Sequence, residues 1–438
     1  MSDNCVAARS LWLQSESLPS FEVLCGNIKT DVLVIGGGLT GLLTAYKLKE
    51  KGVRCILVEK GRLMNGVSGN TTAKITAQHG LIYHKLLLKF GKEKASLYLR
   101  MNCKALENYA ELKSRIPCDF ERRDNYVYTT ESERKLYDEI NALRTLDFEA
   151  DIQRRLPIPV PTFGAVRFPF QAQFNPVKFA KGLLYGMEIY ENTFVCQVSG
   201  NKAKTDNGEI TAEKIVVATH FPFIDSHGLY FAKLYQHRSY VIALSGAEEY
   251  DGMYVDDKKD GLSFRNYKNL LLVGGGDHRT GKKGGNWKEI RNFAKENYPA
   301  ATEKFHWAAQ DCMSLDDVPY VGRYSKHKSD IYVATGFNKW GVTGSMAAAE
   351  VLSDMLTDKD NDFEELLSPS RNILKPQLFL NGFETAVSFF TPTKKRCPHL
   401  GCALKWNSAE HSWDCSCHGS RFDENGKVLD NPSNGNLC

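Results

Sequence analysis

Two short cysteine–histidine boxes lie close to the end of the sequence. The first runs C-P-H-L-G-C from Cys397 to Cys402, and the second runs C-S-C-H-G-S from Cys415 to Ser420. Thiolates and neutral imidazoles are metal ligands. A C-x-H box, fifteen intervening residues and then C-x-x-H can bring two thiolates, Cys397 and Cys415, to one iron. The two imidazoles, His399 and His418, then reach a second iron. A structural zinc ion also suits two thiolates and two imidazoles. Zinc leaves the extra cysteine of each box, Cys402 and Cys417, without a purpose.

A second constellation sits near the start. Gly36, Gly38 and Gly41 form G-x-G-x-x-G between the apolar run DVLVI and the helical LLTAYKLKEKG, and VRCILVEK follows as another strand ending at Glu59. Glycine is required where the backbone turns tightly, where a pyrophosphate approaches and where helix meets strand. An acid about 20 residues on accepts from ribose hydroxyls. The pattern therefore predicts a dinucleotide site on a βαβ unit.

The elements that must hold these groups follow in order. Helical spacing dominates from about 83 to 150, short apolar β runs begin near 157, and DIYVATG with GVTGSMAAAEVLSDML restores strand, glycine turn and helix at 330–356. The first domain is thus discontinuous. With 438 residues, 42% of them hydrophobic, the chain is long enough for two or three domains. A net charge of +4 over this length gives no basic footprint, so composition supplies no case for nucleic acid or an anionic membrane as the partner. The N-terminus carries an early acid and no continuous apolar core, and seven cysteines (Cys5, Cys25, Cys55, Cys103, Cys118, Cys196, Cys312) are scattered singly. These features predict a cytoplasmic protein without a secretory signal or a membrane span.

GVSGNTTAKITAQHG, VATGFNKWGVTGS, FNPVKFAKGLL and KIVVATHFP resemble segments of the D-amino-acid-oxidase superfamily, nearest in pattern to glycine oxidase and sarcosine oxidase. The resemblance implies FAD, and an α/β Rossmann-type FAD-binding domain interleaved with an antiparallel-sheet substrate domain. It adds Ser68, Thr71, Thr72, Gly336, Gly341 and Thr343 to the cofactor contacts. It also puts Lys339 and Trp340 in the flavin-proximal turn, where a cation stabilises reduced flavin. Other pocket candidates are His220, Arg238, Tyr240, Tyr254, Arg265 and His278. In WAAQDCMSLDDVPYVG, Asp311 stands where glycine-oxidase-type members carry a carboxylate-gripping arginine. That exchange favours a cationic amine as substrate.

The tail resembles Rieske 2Fe-2S proteins of the bc-complex type, which implies that Cys402 and Cys417 cross-link the two loops as a disulfide. Ser420 keeps one hydroxyl donor of high-potential members, and Phe422 stands where their second donor, a tyrosine, would be. The expected organisation is an arm at 1–30, a FAD-dependent body at 31–356, a linker at 357–390 and a shortened Rieske domain at 391–438. Within the body, FAD-binding segments are expected at about 31–80, 160–222 and 311–356, and helical or substrate segments at about 81–159 and 223–310. Pro369 to Cys397 leaves room for two or three strands.

The pairing of a two-electron flavin with a one-electron cluster implies an oxidoreductase. The reading is dehydrogenation of a C–N bond in an amine or amino-acid-like substrate, with electrons leaving singly to a soluble, ferredoxin-like acceptor. The alternatives are a reductase fed from a ferredoxin, and a non-catalytic carrier or redox sensor. Protein purified without oxygen should contain, per chain, about one FAD and about two irons with as many labile sulfides, and should give a Rieske-type EPR signal on reduction. Stoichiometric zinc without labile sulfide would refute the assignment.

Overall fold

The run DVLVI becomes the inner part of the strand Ile28–Ile35, which pairs in parallel with Cys55–Val58 through the helix Leu39–Glu50. That helix buries Leu39, Leu42, Leu43 and Leu48, and Lys47 and Lys49 in its last turn complement the helix dipole. The computed structural model describes residues 9–224, 228–284, 286–326 and 328–437, so Cys5 and Cys438 fall outside the described residues.

The first sheet has the order Tyr320–Ser325, Lys328–Thr335, Gly208–Val217, Ile28–Ile35, Cys55–Val58, Glu188–Tyr190. The five strands from Lys328–Thr335 onward are parallel. Strands distant in sequence meet here, as the discontinuous domain requires. The helix Gly341–Leu356 lies against Leu39–Glu50, joined by a Thr40–Ser345 hydroxyl contact of 2.8 Å.

The second sheet runs Thr302–Met313, Tyr235–Ser245, Leu270–Arg279, Ser263–Tyr267, Gly252–Asp256, Glu121–Tyr128, Ala165–Gln173, Lys74–Ile75. It is antiparallel except where Gly252–Asp256 runs beside Glu121–Tyr128. Three stretches expected in the FAD-binding segments belong to this sheet instead: Lys74–Ile75, Ala165–Gln173 and the end of Thr302–Met313. The two units therefore share the loops between them. The expected helical region holds Tyr83–Leu112, kinked at Gly91 with φ +79°, and Glu133–Thr145.

The described part of the arm, from residue 9 on, packs against the body. Trp12 is fully buried and donates from Nε1 to the Thr71 carbonyl at 2.7 Å. The expected strands between Pro369 and Cys397 are absent among the described residues. The helix Pro376–Phe390 occupies this part of the linker, with Pro376 in its first turn where the missing N–H is harmless. Four short antiparallel strands follow: Leu404–Asn407, Ser412–Cys415, Arg421–Asp423 and Val428–Asp430. No helix among the described residues is long and apolar enough to cross a membrane.

Candidate functional site

The glycine turn can take no side chains. Gly36 has φ +117°, and a Cβ there would lie 2.5 Å from the Ala218 carbonyl oxygen. A Cβ at Gly41 would lie 1.9 Å from the Gly36 oxygen, so Gly41 serves helix–strand contact and does not line the cavity. Ser68 Oγ accepts from the Leu39 N–H at 2.9 Å, and Glu59 accepts from the N–H groups of Gly37 and Gly61 at 2.7 and 2.9 Å. Gly36, Gly38, Glu59, Ser68, Thr71, Thr72 and Gly341 all line one cavity of about 550 Å³. A glycine cradle and a positioned acid lining one cavity fit a dinucleotide.

The same cavity is lined by Lys339, Trp340, Asp311, His220 and Tyr240, all pocket candidates in the sequence. Lys339 has φ +72°, and its ammonium lies 2.8 Å from Asp277 and donates to the Lys259 carbonyl at 3.0 Å. Trp340 stacks on His79 at 4.9 Å, and the His79 ring is fixed by the Tyr98 hydroxyl at 2.7 Å. Burial pushes the Asp311 carboxyl up to about 6, against the opposing pull of Lys339. Burial likewise pushes the His220 imidazole down to about 4.

Other expectations are corrected. Tyr254 does not line the cavity. Successive strand residues face opposite ways, and Val255 takes the cavity side while Tyr254 stacks on Tyr126 at 4.8 Å. Arg265 is wholly buried away from the cavity and donates to the carbonyls of Thr72 and Ala73, both at 2.7 Å, beneath the Trp12 ring. It braces the cofactor loop from behind. Thr343 exchanges hydrogen bonds with the backbone of Thr76 at 3.0 Å, and Gly336 sits in a positive-φ turn; neither lines the cavity. His278 stacks behind Tyr240, and Arg238 pairs with Glu410.

Sequence reasoning missed Lys74, His79 and Asp277. Lys74 lines the cavity, is buried, and donates to Thr72 Oγ1 at 3.2 Å; burial and the nearby Arg265 push its amine down to about 7. The signal was present as the single cation in the small-residue loop Gly66–Gly80.

The two cysteine–histidine boxes fold alike. Cys397 N–H donates to the Cys402 carbonyl and Gly401 N–H to the Cys397 carbonyl, at 2.8 and 2.9 Å. Cys415 N–H donates to the Ser420 carbonyl and Gly419 N–H to the Cys415 carbonyl, both at 2.9 Å. Gly401 and Gly419 have φ +74° and +83°, which explains the glycine in each box. The loops bring the rings of His399 and His418 to 5.0 Å and nearly perpendicular. Cys397, Cys402, Cys415 and Cys417 are all buried around Phe422. The sulfurs of Cys402, Cys415 and Cys417 lie within 4.8 Å of one another, and Cys402 and Cys417 are free thiols. The Cys415 thiol and the Ser420 hydroxyl hydrogen-bond to Cys397 and hold its thiol below the usual range. Two thiols and two imidazoles on paired loops are a donor set that fits a 2Fe-2S cluster.

Residues 31–355 match the FAD dependent oxidoreductase (DAO) family, and residues 388–437 match the Rieske [2Fe-2S] domain. The chain is a DAO-family FAD-dependent oxidoreductase with a Rieske domain. It binds FAD in its body and a 2Fe-2S cluster in its tail. The Bacillus subtilis protein YhfW, described as a Rieske 2Fe-2S iron-sulfur protein, is 33% identical over 98% of this chain and 96% of its own. Gamma-glutamylputrescine oxidoreductase of Escherichia coli is 22% identical, over 78% of this chain and 87% of its own. Glycine oxidase from Geobacillus kaustophilus has the same body fold, with TM-score 0.65 and 20% identity over 79% of this chain and 99% of that one.

The Rieske domain is docked on the body of this oxidoreductase through polar contacts. Gln236 donates to the carbonyl of His418 at 2.8 Å, and Gln310 to that of Gly419 at 2.9 Å. Arg279 donates to the carbonyls of Ser416 and Cys417, and Asn431 to those of Thr219 and Phe221. Glu410 is gripped by Arg238 and, at 3.0 Å, by Arg421, all three nearly buried. Along Tyr235–Ser245, Gln236 and Arg238 reach the Rieske domain while Ser239 and Val241 line the FAD cavity, and Tyr240 serves both, lining the cavity and donating from its hydroxyl to Glu410 at 3.3 Å. Val428 to Asn431, with Ser433 and Asn434, complete the cavity wall.

Two outcomes follow from these contacts. The two guanidinium groups hold the Glu410 carboxyl down to about 2 from its ordinary 4.5. Its stabilisation is therefore fully present above about pH 4.5 and is lost as pH falls towards 2. Glu410→Gln strands Arg238, so melting at pH 7 should show a loss of about 3 kcal/mol. The melting temperature should also fall less steeply between about pH 5 and 3 than in the wild type. An unchanged melting curve at pH 7 would show that the pair contributes nothing. For the cluster, Phe422→Tyr adds a hydroxyl among the sulfurs and should raise the midpoint potential, while Ser420→Ala should lower it. The wild type belongs below the top of the roughly −150 to +300 mV Rieske range. Anaerobic redox titration measures all three, and no response to either change would show that other groups set the potential.

Proposed function

We propose that the protein dehydrogenates a C–N bond of an amine or amino-acid-like substrate and sends the electrons singly through its own cluster to a soluble acceptor. When bound, FAD supplies two-electron hydride acceptance and the cluster supplies one-electron transfer. The observation that carries this reading is the shared wall. The strands Tyr235–Ser245 and Thr302–Met313 present Ser239 and Asp311 to the FAD cavity, and Gln236 and Gln310 to the backbone of the cluster loop. Side chains of one strand pair thus serve both sites, which supports transfer within one chain.

In this reading Cys397 and Cys415 hold one iron and His399 and His418 the other; the disulfide expected between Cys402 and Cys417 is not formed in the structure, where both are free thiols, and their oxidation would cross-link the loops. The rings of Phe221 and Phe231 each have their centroid 6.3 Å from that of the His418 ring, in T-shaped contact, and Phe221 follows the cavity residues Thr219 and His220 directly. The stacked pair of Trp340 and His79 forms an aromatic part of the cavity wall. Asp311 is the group suited to a cationic amine, because a partly desolvated carboxylate gains most from an opposite charge. Lys339 is already paired with Asp277, so it does not offer an anionic substrate a free cation. The name of the gamma-glutamylputrescine relative also belongs to an amine.

Anaerobic screening of amines and amino acids should identify a compound that bleaches the flavin and then produces the Rieske EPR signal in the same protein. Asp311 ionises above about pH 6, so the second-order rate constant for flavin reduction by a cationic amine should rise through that pH. Asp311→Asn should flatten the rise and lower the rate constant roughly thirtyfold, equivalent to about 2 kcal/mol. Fast flavin reduction by glycine, sarcosine or D-alanine would count against a cationic substrate.

A further inference from the structure

The helix Pro376–Phe390 is amphipathic in the inverted sense. Its polar residues face the protein. Asn381, 3% exposed, accepts from Arg279 at 3.1 Å, Glu384 pairs with Lys282, and Ser388 is 6% exposed against the backbone of Ala403. Its apolar residues face outward: Phe379 is 70% exposed, Phe383 66% and Phe390 79%, with Leu380 and Val387 between them. These five positions follow the three-and-four spacing of one helical stripe, about 17 Å long at about 1.5 Å per residue. Continuous apolar stripes of this kind mark interaction surfaces.

The flanks decide what covers it. Lys375 precedes the helix, and Lys394, Lys395 and Arg396 follow it. Between residues 374 and 396 the single acid is Glu384, which is committed to Lys282 on the protein side. A phenylalanine-rich stripe with cations at both ends and no acid on its outer side matches a helix lying in the headgroup region of an anionic bilayer. A second copy fits poorly. Helices paired antiparallel would set Lys375 against Lys394 to Arg396, and helices paired parallel would set the basic clusters against each other. A soluble acidic carrier would satisfy the lysines but not the phenylalanines, since transient electron-transfer contacts are small and wet.

We infer that this helix seats the protein on the surface of an anionic membrane. The seat adjoins the cluster. Arg396 donates to the carbonyls of both Phe389 and Gly401, tying the helix end to the loop that carries His399, and Leu400 on that loop is 42% exposed. Association at this face brings the first cysteine–histidine loop close to the lipid boundary without any span.

The test uses full-length protein carrying FAD and cluster, floated with vesicles of phosphatidylcholine alone or with about one-third phosphatidylglycerol. Binding to the anionic vesicles should be at least tenfold tighter and should weaken with salt. The pair Phe379→Asp and Phe383→Asp should abolish it, with flavin absorbance and EPR signal unchanged because both side chains are exposed. Should that pair misfold, Lys394→Glu with Lys395→Glu should still weaken anionic binding at least tenfold. Failure of the wild type to float with anionic vesicles at low salt would overturn the proposal. So would a solution dimer that Phe383→Asp dissociates, or a soluble acidic redox protein held at this face in preference to vesicles.

Discussion

A carboxylate taken out of water between two guanidinium groups is the constraint on which the relation of the two redox sites depends. Glu410 would be costly to bury alone, and Arg238 and Arg421 would be equally costly without it. Arg421 is shared further with Asp414 and Asp430, both within 3.1 Å, so the network extends from a strand of the body through the hairpins of the tail. Such a network tolerates little sliding, because any displacement exposes a desolvated charge to a poorer partner. The glutamine and arginine contacts to the cluster loop then act on carbonyls already held in place.

That rigidity distinguishes this arrangement from a cluster carried on a tether. A wall of two strands separates the sites, and the alternation of a β-strand points Gln236 and Gln310 to one side and Ser239 and Asp311 to the other, with Tyr240 alone among the named groups touching both. Sequence changes on the Gln236 face would alter the cluster environment, whereas changes on the Ser239 face would alter the substrate end. Each function is adjustable without rewriting the other, although the same backbone carries both.

The sequence made chemistry legible where the chemistry dictates the backbone. The glycines at 36, 38 and 41 and the paired boxes at 397–402 and 415–420 are readable because only certain residues permit those turns or those ligands. Tyr254 and Arg265 were misjudged because strand phase is invisible without partners: a shift of one residue turns a pocket group into a core group. Lys74 escaped because a lysine in a polar loop normally faces water, whereas the tertiary fold buries this one and sets it near Arg265, 191 positions away. The helix at 376–390 was taken for linker and short strands because its apolar residues do not face a core, so the usual cue for a packed element was missing.

The tail residues in the cavity wall bear on the order of assembly. The glycine turn leaves the ribosome some 390 residues before Val428 to Asn434, which close the same chamber. An FAD arriving early would meet a half-built chamber. The flavin chamber is thereby completed only when the iron–sulfur segment arrives, and a chain whose cluster loops fail to fold would leave that chamber open along one wall.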